Sequence, residues 1–242
     1  GADYIATGHY ARIEKLENGR YALRMSKTSA KDQTYALYNL TQDQLSKTLM
    51  PVGDYEKDEI REIAKKFNLR VANKPDSQEI CFVSDNDYAS FVENEIGKKM
   101  PEGNFVTADG EILGKHKGIL HYTIGQRKGL GIALGHPIFV TEIRPETNEV
   151  VIGENDDVFG YSLEANNLNA MAVESFFDGM RAIGKIRYSH KGEHCTIKVL
   201  GEDRIRIDFD EKVRAITPGQ AVVLYDESGL VLGGGTIIGR CD

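Results

Sequence analysis

The sequence predicts a chain that opens as α/β, passes through a small β-rich unit and closes as an antiparallel β-barrel. Three observations carry that expectation. Before Pro101 a short opening strand is followed by segments with helical periodicity. Beyond Pro101, short strands punctuated by glycines and turns take over. From about Tyr161 onward, apolar residues alternate in segments such as "GKIRYS", "CTIKVL", "RIRIDF", "VRAITPGQAVVLY" and "LVLGGGTIIG", at the spacing of an antiparallel barrel or sandwich, of which the barrel is favoured.

At 242 residues the chain exceeds the usual single-domain size, so more than one compact unit is expected. Apolar residues at 40% and charged residues at 28% describe a globular protein, and no run approaches the ~18 apolar residues of a membrane span. The opening "GADYIATGHYARIE" lacks the basic flank and apolar run of a signal peptide, so a cytoplasmic chain without membrane association is expected. Cys81, Cys195 and Cys241 form no C-x-x-C pair and are odd in number, which argues against a zinc site and against a disulfide framework. The net charge of −7 excludes a protein that coats nucleic acid indiscriminately, and leaves room for a local basic face.

Taken in order, "YIAT" reads as a short buried strand, with Gly8-His9-Tyr10 as the tight exit from its C-terminal end, where open α/β sheets bind ligands. "ARIEKLENGRYALRM" is a hairpin around Glu17-Asn18-Gly19, followed by the polar loop "SKTSAKDQ". Thr41 and Gln44 form a capping box with leucines placed for a hydrophobic staple, so a short helix starts there and ends before Pro51. Ile60, Ile63, Ala64 and Phe67 give a second amphipathic helix, with acids early, lysines late and Asn68 as C-cap. A third helix starts near Ser84 and Asn86 with Tyr88, Phe91, Val92 and Ile96 as its stripe. Asp109-Gly110 marks one hairpin of the central unit, and "HPIFVTEIRPETNEVVIGE" is another that closes it.

Several features are suited to chemistry. Ile112 to Thr141 contains no Asp or Glu but holds Lys115, Lys117, Arg127, Lys128 and three of the six histidines. Within it "GQRKGLGI" sets Gln126, Arg127 and Lys128 between glycines, where donors approach a phosphate closely; a solvated surface loop is the plain alternative. "GKIRYSHKGEH" is a second basic cluster, and Arg187 beside Tyr188 offers a charge for phosphate and a flat face for a nucleobase. On a strand those two side chains point to opposite faces, so one of them is open to a core role. Gly8-His9 is a weak nucleotide signal, and Lys31-Asp32-Gln33 reads on its own as an exposed, solvated turn.

"DSQEICF" places Cys81 between Ile80 and Phe82. Those apolar flanks favour an inert packed thiol, whereas the polar lead-in "KPDSQE" favours a loop end where the thiolate is accessible. Periodicity leaves both open. Cys195 begins an alternating strand and Cys241 lies next to the terminus, so neither has a comparable setting.

"GADYIATGHYAR", "KDQTYALY", "DSQEICF", "GQRKGLGI", "TPGQAVVLY" and "LGGGTI", in this order from Gly1 to Asp242, together resemble the tRNA-specific 2-thiouridylases, the MnmA/TrmU family that places sulfur on the wobble uridine. The resemblance implies an α/β remnant of a PP-loop (adenine nucleotide alpha hydrolase-like) domain over residues 1–84. A small central β-rich domain over 85–157 and a C-terminal antiparallel β-barrel over 158–242 then follow. It also implies that this is the family's downstream portion, because the family's Ser-Gly-Gly-x-Asp-Ser phosphate loop, an Asp near the target base and a first catalytic cysteine lie upstream. Without them the chain is expected to be inactive alone.

By the same resemblance Cys81 is the catalytic residue that carries a persulfide, later resolved as a disulfide by the upstream cysteine. Gly8 contacts ATP, which acts with Mg2+. His9, the loop Lys31, Asp32 and Gln33, the pair Arg187 and Tyr188, and Gln220 of "TPGQ" contact tRNA. Arg127 and Lys128 are added on the basic character of their loop as phosphate contacts. The implied partners are tRNA and a sulfur-donor protein, either a cysteine desulfurase or a relay, acting on a cytoplasmic monomer. The alternatives are a tRNA-binding module whose Cys81 is structural and a PP-loop ligase that adenylates a small molecule.

Overall fold

The computed structural model describes residues 1–69 and 88–242. The chain divides into two compact units, one of residues 1–74, 161–213 and 217–242, the other of residues 75–160 and 214–216.

The first unit is built on a closed barrel. Its strands β9 (Phe159–Ala170), β10 (Arg181–Lys185), β11 (Glu193–Gly201), β12 (Arg204–Arg214), β13 (Ala221–Tyr225) and β14 (Val231–Arg240) run in the order β10-β11-β12-β9-β14-β13. Closure leaves no edge strand to pair with another chain. Along β12 the apolar residues Ile205, Ile207 and Phe209 alternate inward, as the sequence pattern predicts. β13 and β14 do not alternate, because they are buried almost continuously.

The reason is a second layer laid on their outer face. Strands β2 (Ala11–Lys15) and β3 (Tyr21–Met25) form the expected hairpin, with Gly19 at φ +84°, and the hairpin is bolted to the barrel. Arg20 donates from Nε to the Met171 carbonyl at 2.8 Å and from Nη2 to Ala170 at 2.6 Å, and Asn18 donates to Ala172 at 3.2 Å. Helix α1 (Thr34–Leu37) follows, and its C-cap residue Tyr38 lies over Gly234 of β14. A Cβ at Gly234 would sit 2.5 Å from the Val222 carbonyl oxygen and 2.6 Å from the Tyr38 ring, so this glycine is what lets the layer close. Helix α2 (Gln42–Ser46) carries the capping box read from Thr41 and Gln44, and its Leu45 is buried.

Two readings of the opening segment change. "YIAT" does form a strand, β1 (Ile5–Ala6), paired in parallel with β4 (Thr48–Leu49), but Ile5 is 69% exposed. This two-stranded ribbon has no further strand beside it among the described residues, so its apolar side chains are uncovered. Helix α3 (Lys57–Lys66) has the predicted charge asymmetry and Asn68 in the left-handed region at φ 51° just past its end. Its stripe is only partly used, since Ile60 and Ala64 are half-buried while Ile63 and Phe67 are exposed among the described residues.

The second unit contains helix α4 (Tyr88–Glu95) and a four-stranded sheet of β5 (Gly103–Val106), β6 (Ile112–His116), β7 (Phe139–Arg144) and β8 (Glu149–Gly153), in the order β6-β5-β8-β7. Both predicted hairpins are present, and the parallel pairing of β5 with β8 joins them into one sheet. Phe105, Tyr122, Leu130, Ile138, Val140, Val150 and Ile152 form its core. In α4 the buried position is Ala89, whereas Tyr88 and Ile96 of the predicted stripe are exposed; the helix start near Ser84 lies outside the described residues.

Candidate nucleic-acid interface

The loop Lys31–Gln33 is not the solvated turn that its polarity suggested. Asp32 is only 7% exposed, and its carboxylate accepts from the Ser26 amide at 2.9 Å, the Thr34 amide at 3.3 Å and the Thr34 hydroxyl at 2.5 Å. Because the Thr34 hydroxyl proton is committed to Asp32, the Tyr225 hydroxyl, 3.1 Å away, donates to Thr34 Oγ1. A chain of polar contacts thus runs from the barrel strand β13 through Thr34 to Asp32 and fixes the loop. The Asp32 side chain is consumed in shaping the loop, which overturns the reading of this segment as an exposed turn. Lys31 and Gln33 on either side are half-buried.

Gln33 connects this loop to the opening segment. Its amide donates to the Tyr10 carbonyl and its Oε1 accepts from the Tyr10 amide, both at 2.9 Å. Gly8 and His9 therefore lie two residues and one residue, respectively, from the loop's own anchor. His9 Nδ1 is 2.7 Å from Thr7 Oγ1. A Cβ at Gly8 would meet nothing within 4 Å, so nothing among the described residues requires a glycine there, and its backbone stands open to approach.

Tyr35, the residue after Thr34, brings the barrel turns to the same place. Its hydroxyl donates to the Ala221 carbonyl at 2.8 Å, adjacent to the exposed Gln220. Its ring meets Tyr188 edge to face, with centroids 6.4 Å apart. Burial pushes the Tyr35 hydroxyl up to about 12, so it stays a neutral donor, while the nearby Arg187 charge pulls the other way.

Arg187 and Tyr188 lie in the turn after β10 and not on a strand, so the expectation that they point to opposite faces of a sheet is corrected. Tyr188 is 54% exposed. The Lys185 ammonium stands 5.2 Å from the Tyr225 ring centre. His190 does not add to this positive charge. Burial, then Arg187 and Lys185, lower its pKa to about 4, and its Nδ1 accepts from the Ile186 amide at 3.4 Å. At neutral pH it is an uncharged structural imidazole.

One of the three histidines in the acid-free stretch 112–141 is likewise structural. His116 is 2% exposed, its Nδ1 accepts from the Gly118 amide at 3.0 Å, and its Nε2–H therefore donates to the Asn148 carbonyl at 3.1 Å. Burial lowers its pKa. Gln126 is also occupied within its own loop, so the positive surface of "GQRKGLGI" reduces to the exposed Arg127 and Lys128.

The sequence reading missed Thr34, Tyr35, Tyr10 and Tyr225. One local signal was present: an Asp two residues before a Thr is the pattern of a side chain that bonds the backbone ahead of it. The partner hydroxyl on Tyr225, 191 residues away, leaves no such trace.

Cys81 lies outside the described residues. Of the other thiols, Cys195 is fully buried and burial pushes its pKa up to about 12, which makes it inert, and Cys241 Sγ lies 3.3 Å from Ser162 Oγ. Among the described residues no three His, Cys, Asp or Glu side chains converge as a metal site. No helix among them is long and apolar enough to cross a membrane.

Three family models match the chain in succession. They are the tRNA methyl transferase HUP domain over residues 1–85, the tRNA methyl transferase PRC-barrel domain over 89–154 and the aminomethyltransferase beta-barrel domain over 162–237. Together with the fold they define the class: an α/β HUP segment, then a small central β domain, then a C-terminal antiparallel barrel. The chain is 68% identical over 98% of its length to the tRNA-specific 2-thiouridylase MnmA of Lachnoclostridium phytofermentans, covering 66% of that protein. It is 58% identical to the corresponding protein of Clostridioides difficile, with 66% of that protein covered, and 55% identical to one from Clostridium botulinum, with 65% covered. The chain belongs to the tRNA-specific 2-thiouridylase family, and it spans about two thirds of the length of the curated relatives it matches.

Proposed function

We propose that the chain is the tRNA-gripping and sulfur-carrying part of an enzyme that replaces the C2 oxygen of the wobble uridine with sulfur at the expense of ATP. The observation that carries this reading is the gathering of Gly8–His9, Lys31–Gln33, Arg187–Tyr188 and Gln220 around Tyr35, from four separate stretches of sequence. These are the positions that the family resemblance marks for nucleotide and tRNA.

The division of labour follows from chemistry. Arg187 supplies charge for a phosphate and Tyr188 an exposed aromatic face for a base, while the buried Asp32 holds the loop that presents Lys31 and Gln33. Gly8 leaves its backbone accessible to ATP. ATP supplies the leaving group, because the uracil C2 oxygen departs readily only as part of AMP. The terminal sulfur of a persulfide on Cys81, or hydrosulfide released from it, forms the new C–S bond as AMP leaves. In the persulfide route a second thiolate attacks Cys81 Sγ, the S–S bond breaks with its electron pair left on the transferred sulfur, and a disulfide remains for an external thiol to reduce. The sulfur reaches Cys81 from a donor protein, a cysteine desulfurase or a relay, and the enzyme acts as a cytoplasmic monomer.

The sequence contains no Ser-Gly-Gly-x-Asp-Ser stretch. Residues 1–242 alone are therefore expected to bind tRNA but not to thiolate it when given ATP and a persulfide donor. Mass spectrometry of the recovered nucleosides checks this, and ATP-dependent 2-thiouridine made by these residues alone would overturn the reading.

A further inference from the structure

The second unit carries a loop whose construction the function above does not use. Gln126 to Gly129 is tied on both sides. The Gly125 amide donates to the Val140 carbonyl at 2.8 Å and the Val140 amide donates to the Gln126 carbonyl at 2.9 Å. The Gln126 side chain laces the tip, accepting from the Thr123 amide at 3.0 Å and donating to the Lys128 carbonyl at 3.0 Å. Leu130 closes the loop into the core of the unit.

Arg214, at the end of β12, sits beneath this loop. Its guanidinium carbon is 5.4 Å from the Phe139 ring centre and 5.9 Å from that of Phe159, and Nη2 donates to the Gly125 carbonyl at 3.3 Å. Gly125 is at φ +86°, in the region that favours glycine, and its open side faces Arg214, whose Nη1 lies 2.7 Å from where a Cβ would stand. What this framework holds out to solvent is Arg127 and Lys128, neither in an ion pair among the described residues, within a thirty-residue stretch free of Asp and Glu.

We propose that this loop is a preorganised contact for RNA phosphates and that Arg214 is its positioning residue. The inference rests on the tRNA reading above. Two adjacent cations on a loop already fixed by backbone bonds lose little freedom on meeting a phosphate, whereas the same cations on a mobile loop bind weakly. Gly129 and Gly131 leave a sugar-phosphate backbone unobstructed beside them. A chain of net charge −7 repels RNA except where such acid-free surfaces face it. Lysine at 214 would keep the charge but lose the planar fork that stacks between two rings while donating to a carbonyl.

The test is fluorescence anisotropy of the chain with unmodified tRNA across a salt series. Arg127→Ala with Lys128→Ala, both at the surface, is expected to weaken binding about 10-fold at 0.1 M salt and to reduce the log–log salt slope by about 1.5 to 2, the value for two lost phosphate contacts. Arg214→Gln should reduce the slope by a similar amount, Arg214→Lys should only partly restore it, and Arg214→Gln added to the double variant should change the slope no further. An Arg214 that merely stabilises the fold would instead lower the melting temperature and leave the slope alone, which overturns its positioning role. An unchanged slope in the Arg127/Lys128 variant, with Arg187→Ala still weakening binding, overturns the loop proposal while the tRNA reading stands. Absence of tRNA binding by the unaltered chain overturns both.

Discussion

Replacing Arg187 and Tyr188 together by alanine is expected to weaken tRNA binding by about 100-fold while leaving the melting temperature nearly unchanged. Stacking of one base on an aromatic ring contributes ~1–3 kcal/mol, and a phosphate contact by Arg187 brings the pair to about 3 kcal/mol in all, which is the stated factor. Stability should hold because both residues sit in a turn outside the barrel strands and Tyr188 is more than half exposed. Tyr35 beneath them keeps its own bond to Ala221. Anisotropy with unmodified tRNA at one salt concentration, together with calorimetry, separates the two effects. Undiminished affinity would reduce this turn to ordinary protein surface.

The second large effect is on folding. Gly234→Ala places a methyl group between the Val222 carbonyl and the Tyr38 ring, at 2.5 and 2.6 Å, and neither neighbour can retreat. Val222 is in the barrel wall, and Tyr38 ends the helix that carries Tyr35. A clash of this kind costs ~2–4 kcal/mol and should lower the melting temperature by roughly 5–15 °C. Because the strain reaches α1, tRNA affinity should fall as well, unlike the effect of an equally destabilising change in the barrel interior away from α1, such as Ile207→Ala. Differential scanning calorimetry paired with the same binding assay checks both parts.

Much of the architecture is legible locally. Turn glycines placed the hairpins, a Thr-x-x-Gln box placed α2, and alternation placed β12, because each depends only on neighbours along the chain. What escaped depends on distant partners. Asp32 looked like surface because its burial needs Tyr225 of the barrel, and β13 and β14 lack alternation because a hairpin and a helix from the opposite end of the sequence cover them. His190 and His116 counted as basic residues in the sequence, yet burial keeps both neutral. The barrel order β10-β11-β12-β9-β14-β13 likewise has no signature in spacing alone.

The candidate site divides along the same line. Of its outer residues, Arg187 and Tyr188 were legible from their own chemistry, whereas Gln220 and the Lys31 loop entered only through the family resemblance. The supports that gather them, Tyr35, Thr34 and the Tyr10–Gln33 pair, emerged only from the fold.

Everything proposed about chemistry turns on whether the thiol of Cys81 conveys sulfur. The direct measurement is the 2-thiouridine content of tRNA treated with a full-length, active protein containing this sequence, before and after Cys81→Ser. The account predicts that 2-thiouridine disappears while tRNA affinity stays within about 2-fold of the unaltered protein, since no bond to the nucleic acid is assigned to that side chain. Ordinary levels of 2-thiouridine from the serine variant would contradict it.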